Sequence, residues 1–417
     1  MKKTGFWTLR YALINISYFA AFCGVHAYTS VFLLDKGFSN TLIGIVLALA
    51  NILSMLSQPL VAAAIDKPGK LTNRNVSMFS TLLMIIGCAS LRFVNSNIAA
   101  IFVIYALIFM VQMTYQPIII AMSFEYQAAG CNINFGLARG LGSAGFAVTS
   151  ALVGNAVARY GTVLLIYVNV AVLTFSLIML FFFKKPGTDI LEECAVKTAE
   201  DELPGAVNTD VMQPQSDDMA GTAVAHNGLI SFIRAYPKFM LLMLAIVLAF
   251  FAHNMLNDYL IQIIRSLGGG EREMGYATFI AALLELPTMT AITAFRDKIK
   301  ITTLLKLSGC FFLIKTVIMF FATNMAGVYL SSACQLLAYA VLIPAAAYYA
   351  DEVMNSADKV KGQAYANVAV VVGGIFSSLL CGRILDRFGI KAMIGTGCIV
   401  CAVGTVLFFI ALSGKKE

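Results

Sequence analysis

The sequence predicts an all-α membrane protein in which twelve transmembrane helices form two pseudo-symmetric six-helix bundles. Of its 417 residues, 59% are hydrophobic and only 12% are charged, whereas a soluble domain carries about 25% charged residues. So few charges cannot cover a surface that faces water, but lipid solvates an apolar exterior. The apolar residues also fall into long blocks, and one motif recurs in both halves of the chain.

The apolar blocks have the length of membrane-spanning helices. A bilayer core of about 30 Å needs about 20 apolar residues in a helix. The blocks lack the strict alternation of β-barrel strands and are longer than such strands, which favours helices. The predicted spans are roughly residues 11–34, 40–64, 76–95, 98–122, 136–158, 162–183, 238–264, 273–295, 301–323, 325–350, 360–385 and 391–412.

A long polar segment separates the sixth span from the seventh. Residues 184–229 are acidic and rich in Ala, Thr and Gly, a composition typical of a disordered linker. The sequence therefore predicts an N-terminal bundle at 1–183, a cytoplasmic linker at 184–229 and a C-terminal bundle at 230–417.

The repeated motif indicates an internal duplication. Residues 154–161 read GNAVARYG and residues 382–389 read GRILDRFG, so both contain G-x-x-x-[AD]-R-[YF]-G. The two motifs lie 228 residues apart (382 minus 154), and Ser150 and Ser378 share that offset. Parallel repeats of six helices are the plan of one large class of membrane proteins.

The distribution of positive charge predicts the orientation in the membrane. Eighteen lysines and arginines lie at the ends of the predicted spans on the side of the two termini. Six lie at the opposite ends: Lys36, Arg159, Arg265, Arg272, Arg387 and Lys391. The positive-inside rule then places both termini in the cytoplasm, and we expect a multi-pass protein of the bacterial inner membrane. The net charge of +7 reflects this topology, so we expect a lipid bilayer and no nucleic acid as partner.

The chain lacks the sequence motifs of ATP hydrolysis and of metal-dependent catalysis. It has no Walker sequence and no H-E-x-x-H. Of its nine cysteines, only Cys398 and Cys401 form a C-x-x-C pair, and no second pair or histidine lies near them. We therefore expect neither an enzyme nor a metal site.

Two stretches carry a resemblance to a known family. Gln58-Pro59-Leu60 leads to Asp66-Lys67-Pro68-Gly69-Lys70, and residues 135–146 read FGLARGLGSAGF. The chain resembles the major facilitator superfamily and, within it, the lactose permease-like branch of oligosaccharide:proton symporters. This resemblance implies that Arg139 binds a sugar and that Phe146, where the lactose-binding member has tryptophan, stacks on it.

The chain departs from that branch at two positions. The carboxylate of the fourth helix that pairs with the arginine is replaced by Ala121, and residues 335–344 read QLLAYAVLIP, without an acid, a base or a histidine. If protons drive transport, another acid has to carry them. We expect Glu285 or Asp258 to do so.

Charged residues inside a membrane are expensive and therefore mark functional positions. Glu285 lies in the middle of the eighth span, where a low dielectric favours a protonated carboxyl group. Lys315, in the ninth span, is its expected partner for proton coupling, with a structural ion pair as the alternative. Arg139 can grip two hydroxyls or a carboxylate bidentately; alternatively it pairs with Glu125 as a gate.

The seventh span offers five polar residues, namely His253, Asn254, Asn257, Asp258 and Gln262. Three of them, Asn254, Asp258 and Gln262, recur every four residues and share one helix face. Such a face lines a cavity or makes hydrogen bonds between helices. We expect Asn254 and Asp258 to contact a substrate.

Two substrate candidates and one latch complete the predicted sites. His26 matches a family position that faces the cavity, and Asn367 lies at the repeat position of Arg139 (139 plus 228). Both are predicted to bind substrate. Asp66, Arg74 and Glu125, with Lys67 and Lys70 in the same loop, are predicted to form an intracellular latch; simple positive-inside topology is the alternative for the cations.

These patterns together predict a secondary active transporter. The first hypothesis is a proton-coupled symporter of a sugar or glycoside that works by alternating access. The alternatives are a transporter of an aromatic acid, nucleoside or drug, and a non-transporting membrane sensor. We expect no cofactor, a proton gradient as driving force with sodium as the alternative coupling ion, a small-molecule substrate and a monomer.

Overall fold

The computed structural model of the protein describes residues 2–67, 71–94, 97–185, 229–295, 299–356 and 358–413. Regular secondary structure in these ranges is helical throughout. Residues 186–228 of the predicted linker, and Lys70 of the predicted latch, lie outside the described residues.

Six membrane-length segments make up the first half of the chain. The first segment, α1, runs through Lys2–Phe22, a π-helical turn at Cys23–Ala27 and Thr29–Asp35. The next five are α2 (Asn40–Ile65), α3 (Asn73–Ser90), α4 (Ile98–Ala128), α5 (Phe135–Tyr160) and α6 (Leu164–Phe182).

Six more segments make up the second half, after a short helix at Leu229–Ala235. They are α7 (Pro237–Asp258 and Leu260–Ser266), α8 (Glu271–Phe295), α9 (Ile301–Phe321), α10 (Met325–Ala333, a 3₁₀ turn at Cys334–Leu336, and Tyr339–Val353), α11 (359–388) and α12 (390–411). The last two form one continuous run, Lys359–Ala411, that turns at Gly389, whose φ of 79° is left-handed and favours glycine.

The twelve predicted spans each coincide with one of these segments. Within the described residues, nine helices are long and apolar enough to cross a membrane, and one of the nine is the run that contains both α11 and α12. The segments α3 and α8 complete the twelve, and both begin with polar or charged turns. The all-helical fold in two six-helix bundles is thereby confirmed.

Three of the helices are interrupted near the middle or the far end of the bundle. A π-helical turn at Cys23–Ala27 holds His26, α7 breaks at Tyr259, and α10 breaks after the 3₁₀ turn Cys334–Leu336. Interrupted membrane helices free backbone groups and commonly mark functional positions. Each of these interruptions lies beside a polar side chain, although the sequence around it is apolar.

The two halves meet through two pairs of helices, α5 with α8 and α2 with α11. Both pairs approach closely at the end of the bundle opposite the two chain termini, which we call the distal end. Glycines permit the approach, because a Cβ atom on Gly154 would lie 2.6 Å from the carbonyl oxygen of Glu271 and one on Gly275 would lie 2.6 Å from that of Ser150. In the other pair, a Cβ atom on Gly44 would collide with the carbonyl oxygen of Ser378.

These two contacts are copies of one another. The Tyr28 hydroxyl donates to the carbonyl oxygen of Ser150 at 2.8 Å, and the Tyr259 hydroxyl donates to that of Ser378 at 2.9 Å. The two serines lie 228 residues apart (378 minus 150), the offset of the repeated motif. The duplication predicted from the motif therefore extends to a shared hydrogen-bond geometry, and we call these two contacts the distal seals.

An aspartate makes one distal seal different from the other. Asp386 accepts hydrogen bonds from the backbone N–H of Asn40 and Thr41 at 3.2 and 2.7 Å, and from their side chains at 2.8 and 2.6 Å. The equivalent residue of the first half is Ala158 (386 minus 228), which has no such group. Gln262 adds a hydrogen bond of 2.8 Å to Asn40.

Candidate functional site

A buried lysine is the centre of a polar network in the second half of the chain. Lys315 of α9 is 4% exposed. Its ammonium group donates to Oε1 of Gln335 at 2.6 Å and lies 3.3 Å from Nδ1 of His253. A buried charge is tolerated only where hydrogen bonds replace water, and here α7 and α10 provide them.

Gln335 connects this lysine to the carboxylate of Glu285. Its Nε2 donates to Oε1 of Glu285 at 3.0 Å. The expected partners Glu285 and Lys315 thus belong to one network, with an amide between them. The sequence analysis did not single out Gln335, although an amide next to a helix break in an apolar span was the available signal.

The network continues through His253 to α7. Nε2 of His253 lies 2.9 Å from the amide nitrogen of Asn257, which is exposed. On its face, His253 stacks against Tyr339 of α10, with ring centroids 5.3 Å apart and planes 13° apart. Because an ammonium group can only donate, His253 accepts from Lys315 at Nδ1.

Aromatic rings from the first half surround the predicted substrate residue His26. The ring of His26 stacks on Phe22 at 4.6 Å and 17°, and its other neighbour is Phe109 at 4.9 Å and 30°. Phe146 lies next to Phe22, at 6.1 Å between centroids. The π-helical turn Cys23–Ala27 turns His26 into this aromatic group.

Arg139 lies on α5 with its guanidinium group over the ring of Phe19, 4.2 Å from the ring centroid. Its Nη1 donates to Ser143 at 2.8 Å. Its helix packs against α8, which carries Glu285. A direct contact between these two side chains stays a prediction.

The predicted gate residues Arg74 and Glu125 tie helices within the first half. Arg74 donates to the carbonyl oxygens of Leu180 and Phe181 at 2.8 and 2.7 Å, at the end of α6. Glu125 accepts from Asn73 at 2.7 Å and forms an ion pair with Lys185.

Asp66 is exposed at the end of α2. The intracellular latch between helices that includes Asp66 therefore stays a prediction. The alternative pairing of Glu125 with Arg139 is replaced by the contacts to Asn73 and Lys185.

The polar face of α7 lies against α11. Asn254 packs beside Gly374, and Asp258 accepts a hydrogen bond of 2.9 Å from the Ser378 hydroxyl. The backbone carbonyl of Asp258 also accepts from Ser30 of α1. The sequence analysis left two interpretations of this face, cavity lining and hydrogen bonding between helices. These contacts fit hydrogen bonding between helices.

Asn367, the last predicted substrate residue, is exposed on α11 on the terminal side of the seals. No group of three histidine, cysteine, aspartate or glutamate side chains that could hold a metal ion occurs among the described residues.

Two comparisons identify the family and the fold. A sequence model described as the MFS_1 like family matches residues 8–406. Among solved structures, the nucleoside transporter NupG is similar in two determinations, with TM-scores of 0.77 and 0.73, at 14% and 15% identity, each over 97% of this chain and 98% of the other.

A bacterial homologue of the human lysosomal transporter Spinster, in an inward-facing and unoccupied conformation, is also similar. It aligns with a TM-score of 0.67 at 10% identity, over 98% of this chain and 97% of the other. No curated protein matches the sequence significantly. With nearly its whole length matched by the family model, the chain belongs to the MFS_1-like family of multi-pass membrane transporters.

Proposed function

We propose that the protein is a proton-coupled symporter of a glycoside, and that nucleosides are the glycosides it fits best. The observation that carries the proposal is the pairing of two unlike walls. Aromatic rings around His26 come from the first half, an ionic and amide network comes from the second half, and α5 with Arg139 packs against α8 with Glu285.

The aromatic wall suits a flat ring. Phe22, His26 and Phe146 form a group of stacked or tilted rings. Stacking of a nucleobase on aromatic side chains is favourable by about 1–3 kcal/mol per base and tolerates different bases. A saturated sugar ring would pack on the same aromatic side chains through its C–H groups, but with a smaller contact area.

The opposite wall suits hydroxyl groups. A carboxylate accepts hydrogen bonds from two hydroxyls, and a guanidinium group donates to their oxygens. In the second half, Glu285 supplies the carboxylate and Asn257 an exposed amide, while Arg139 supplies the guanidinium group from the first half. A ribose presents such hydroxyls beside its base, whereas a simple sugar presents them on all sides.

The similarity to the nucleoside transporter NupG supports this order of candidates. At 14% identity the likeness shows the fold alone. Nucleoside transport by NupG therefore supports the proposal only in combination with the two walls. The lactose permease-like features at Arg139 and Phe146 support a simple sugar as the second candidate.

Glu285 is our proposed proton carrier. It is partly buried and accepts a hydrogen bond from the Gln335 amide, which itself accepts from Lys315. The distal seals are closed, so on the predicted topology the site would face the cytoplasm. Rocking of the two halves about this site would then expose it to either side in turn.

Uptake into proteoliposomes would test the proposal. With an inwardly directed proton gradient, we expect labelled uridine or adenosine to accumulate, and collapse of the gradient by an uncoupler to stop accumulation. Lactose and melibiose are the matched sugar probes. Accumulation of the sugars alone would transfer the proposal to the second candidate, and uptake that is indifferent to the gradient would refute proton coupling.

A further inference from the structure

Gln335 is the buried group that joins a carboxylate to an ammonium group. It is 5% exposed and lies in the 3₁₀ turn Cys334–Leu336, where α10 is interrupted. Both ends of its amide are used, since the oxygen accepts from Lys315 at 2.6 Å and the nitrogen donates to Glu285 at 3.0 Å. An aliphatic residue of similar size would fill the same space without either bond.

We infer that Gln335 is a positioning residue that sets the proton affinity of Glu285, which rests on the proposed role of Glu285 as proton carrier. An ammonium group has three N–H donors and no acceptor, so Lys315 fixes the oxygen of the Gln335 amide towards itself. The NH₂ group is then the end that faces Glu285. It can donate to an ionised carboxylate and cannot accept from a protonated one.

Other groups act on Glu285 only at longer range. Lys315 is separated from it by the Gln335 amide, and Arg139 of α5 and Tyr339 of α10 lie on helices that pack against α8. Gln335 is its hydrogen-bond partner among the described residues. A hydrogen bond to an ionised group is roughly twice as strong as one between neutral groups, so loss of this bond destabilises the ionised form more than the protonated form.

Protonation of Glu285 therefore has a structural consequence. The acid hydrogen finds no acceptor at the Gln335 amide, whose oxygen is held by Lys315, and it turns to another acceptor in the space between the halves. A substrate hydroxyl or ring heteroatom can serve. The orientation of one amide thus links proton binding at Glu285 to the substrate that Arg139 faces.

Infrared titration of the purified full-length protein tests this inference without a substrate. The carboxylic C=O stretching band that Glu285→Gln removes belongs to Glu285, and its intensity against pH gives the midpoint of protonation. In Gln335→Met, which keeps the volume between Lys315 and Glu285, we expect the midpoint to rise by about one pH unit, a tenfold gain in proton affinity.

Two further variants keep the result interpretable. Gln335→Glu retains an acceptor for Lys315 but sets a second carboxyl beside Glu285, so we expect a larger rise. Gln112→Met is the matched control, because Gln112 is a buried glutamine of α4 outside the network; its midpoint should equal that of the wild type.

The possible failures are separable. A midpoint that is unchanged or lower in Gln335→Met overturns the role of Gln335, while the titrating Glu285 band still supports the proton carrier. If Glu285→Gln removes no titrating band, the proton-carrier proposal itself fails, and the inference falls with it.

Discussion

The carboxylate of Asp386, near the end of α11, sits on the N-terminus of α2, where Thr41 donates to one of its oxygens from both backbone and side chain at 2.7 and 2.6 Å. The first N–H groups of a helix have no partner within it, and they favour a negative charge. Ser39 caps one of them in the usual way. Asp386, which belongs to the other half of the protein, accepts from the N–H groups of Asn40 and Thr41.

Asp386→Ala should open the distal end more often. Loss of a cap costs about 0.5–2 kcal/mol, which changes a two-state ratio by about 2- to 30-fold. Spin labels at Val163→Cys and Phe388→Cys, on a background without native cysteines, would report the distance across this end. Arg387→Gln, an exposed neighbour, is the control, and equal distance distributions in all proteins would contradict the prediction.

Gly275→Val should also disturb a distal seal, for steric reasons. A Cβ atom at this position would lie 2.6 Å from the Ser150 carbonyl oxygen, a backbone atom that cannot rotate away. We expect longer distances between the same two labels and at least about a tenfold loss of uptake, since one unrelieved clash exceeds the ~1.4 kcal/mol that a tenfold change requires. Gly140→Ala in α5, where nothing lies within 4 Å of the added atom, should behave as the wild type.

Glu285→Gln should uncouple transport from the proton gradient. The amide cannot take up a proton at the relevant pH, so accumulation against a gradient should stop while exchange of labelled for unlabelled substrate continues. Exchange and uphill uptake would be measured in the same vesicles. Uphill uptake at the wild-type level would remove Glu285 from the coupling mechanism.

Arg139→Lys should weaken substrate binding by about tenfold, or about 1.4 kcal/mol. A lysine keeps the charge but loses the planar fork that can bind two oxygens at once, and its shorter reach also loses the contact to Ser143. Binding would be measured by thermal shift and by the concentration dependence of exchange. Wild-type affinity in this variant would confine Arg139 to a gating role.

The sequence was sufficient for the fold because membrane helices follow from local composition. Each span needs only enough apolar residues, and the bilayer forces their backbone groups to pair within the helix. The duplication was also visible, since Ser150 and Ser378 lie at one offset. The offset could not show that the carbonyl groups of these two serines accept hydrogen bonds from Tyr28 and Tyr259. The tyrosines lie on other helices than the serines, and their own spacing (259 minus 28) differs from the offset of the serines.

The site was less accessible to sequence analysis because its residues come from several helices. Glu285 and Lys315 were found as isolated charges in apolar spans. Gln335 was missed, since one uncharged amide gives little signal until three helices bring it between two ions. Asp258 was identified, yet its contact with Ser378 depends on how α7 rotates against α11, which spacing along α7 leaves open.

Each distal seal borrows its parts from both halves of the chain. Tyr28, Ser150 and Gly154 need Gly275 from the other bundle, and Tyr259, Ser378 and Gly382 need Gly44. Neither bundle therefore contains a complete seal when it is expressed alone. Two halves supplied as separate polypeptides would recognise each other through these glycine and tyrosine contacts, and chimeras with a relative would assemble only if the donor carries the same residues at these positions.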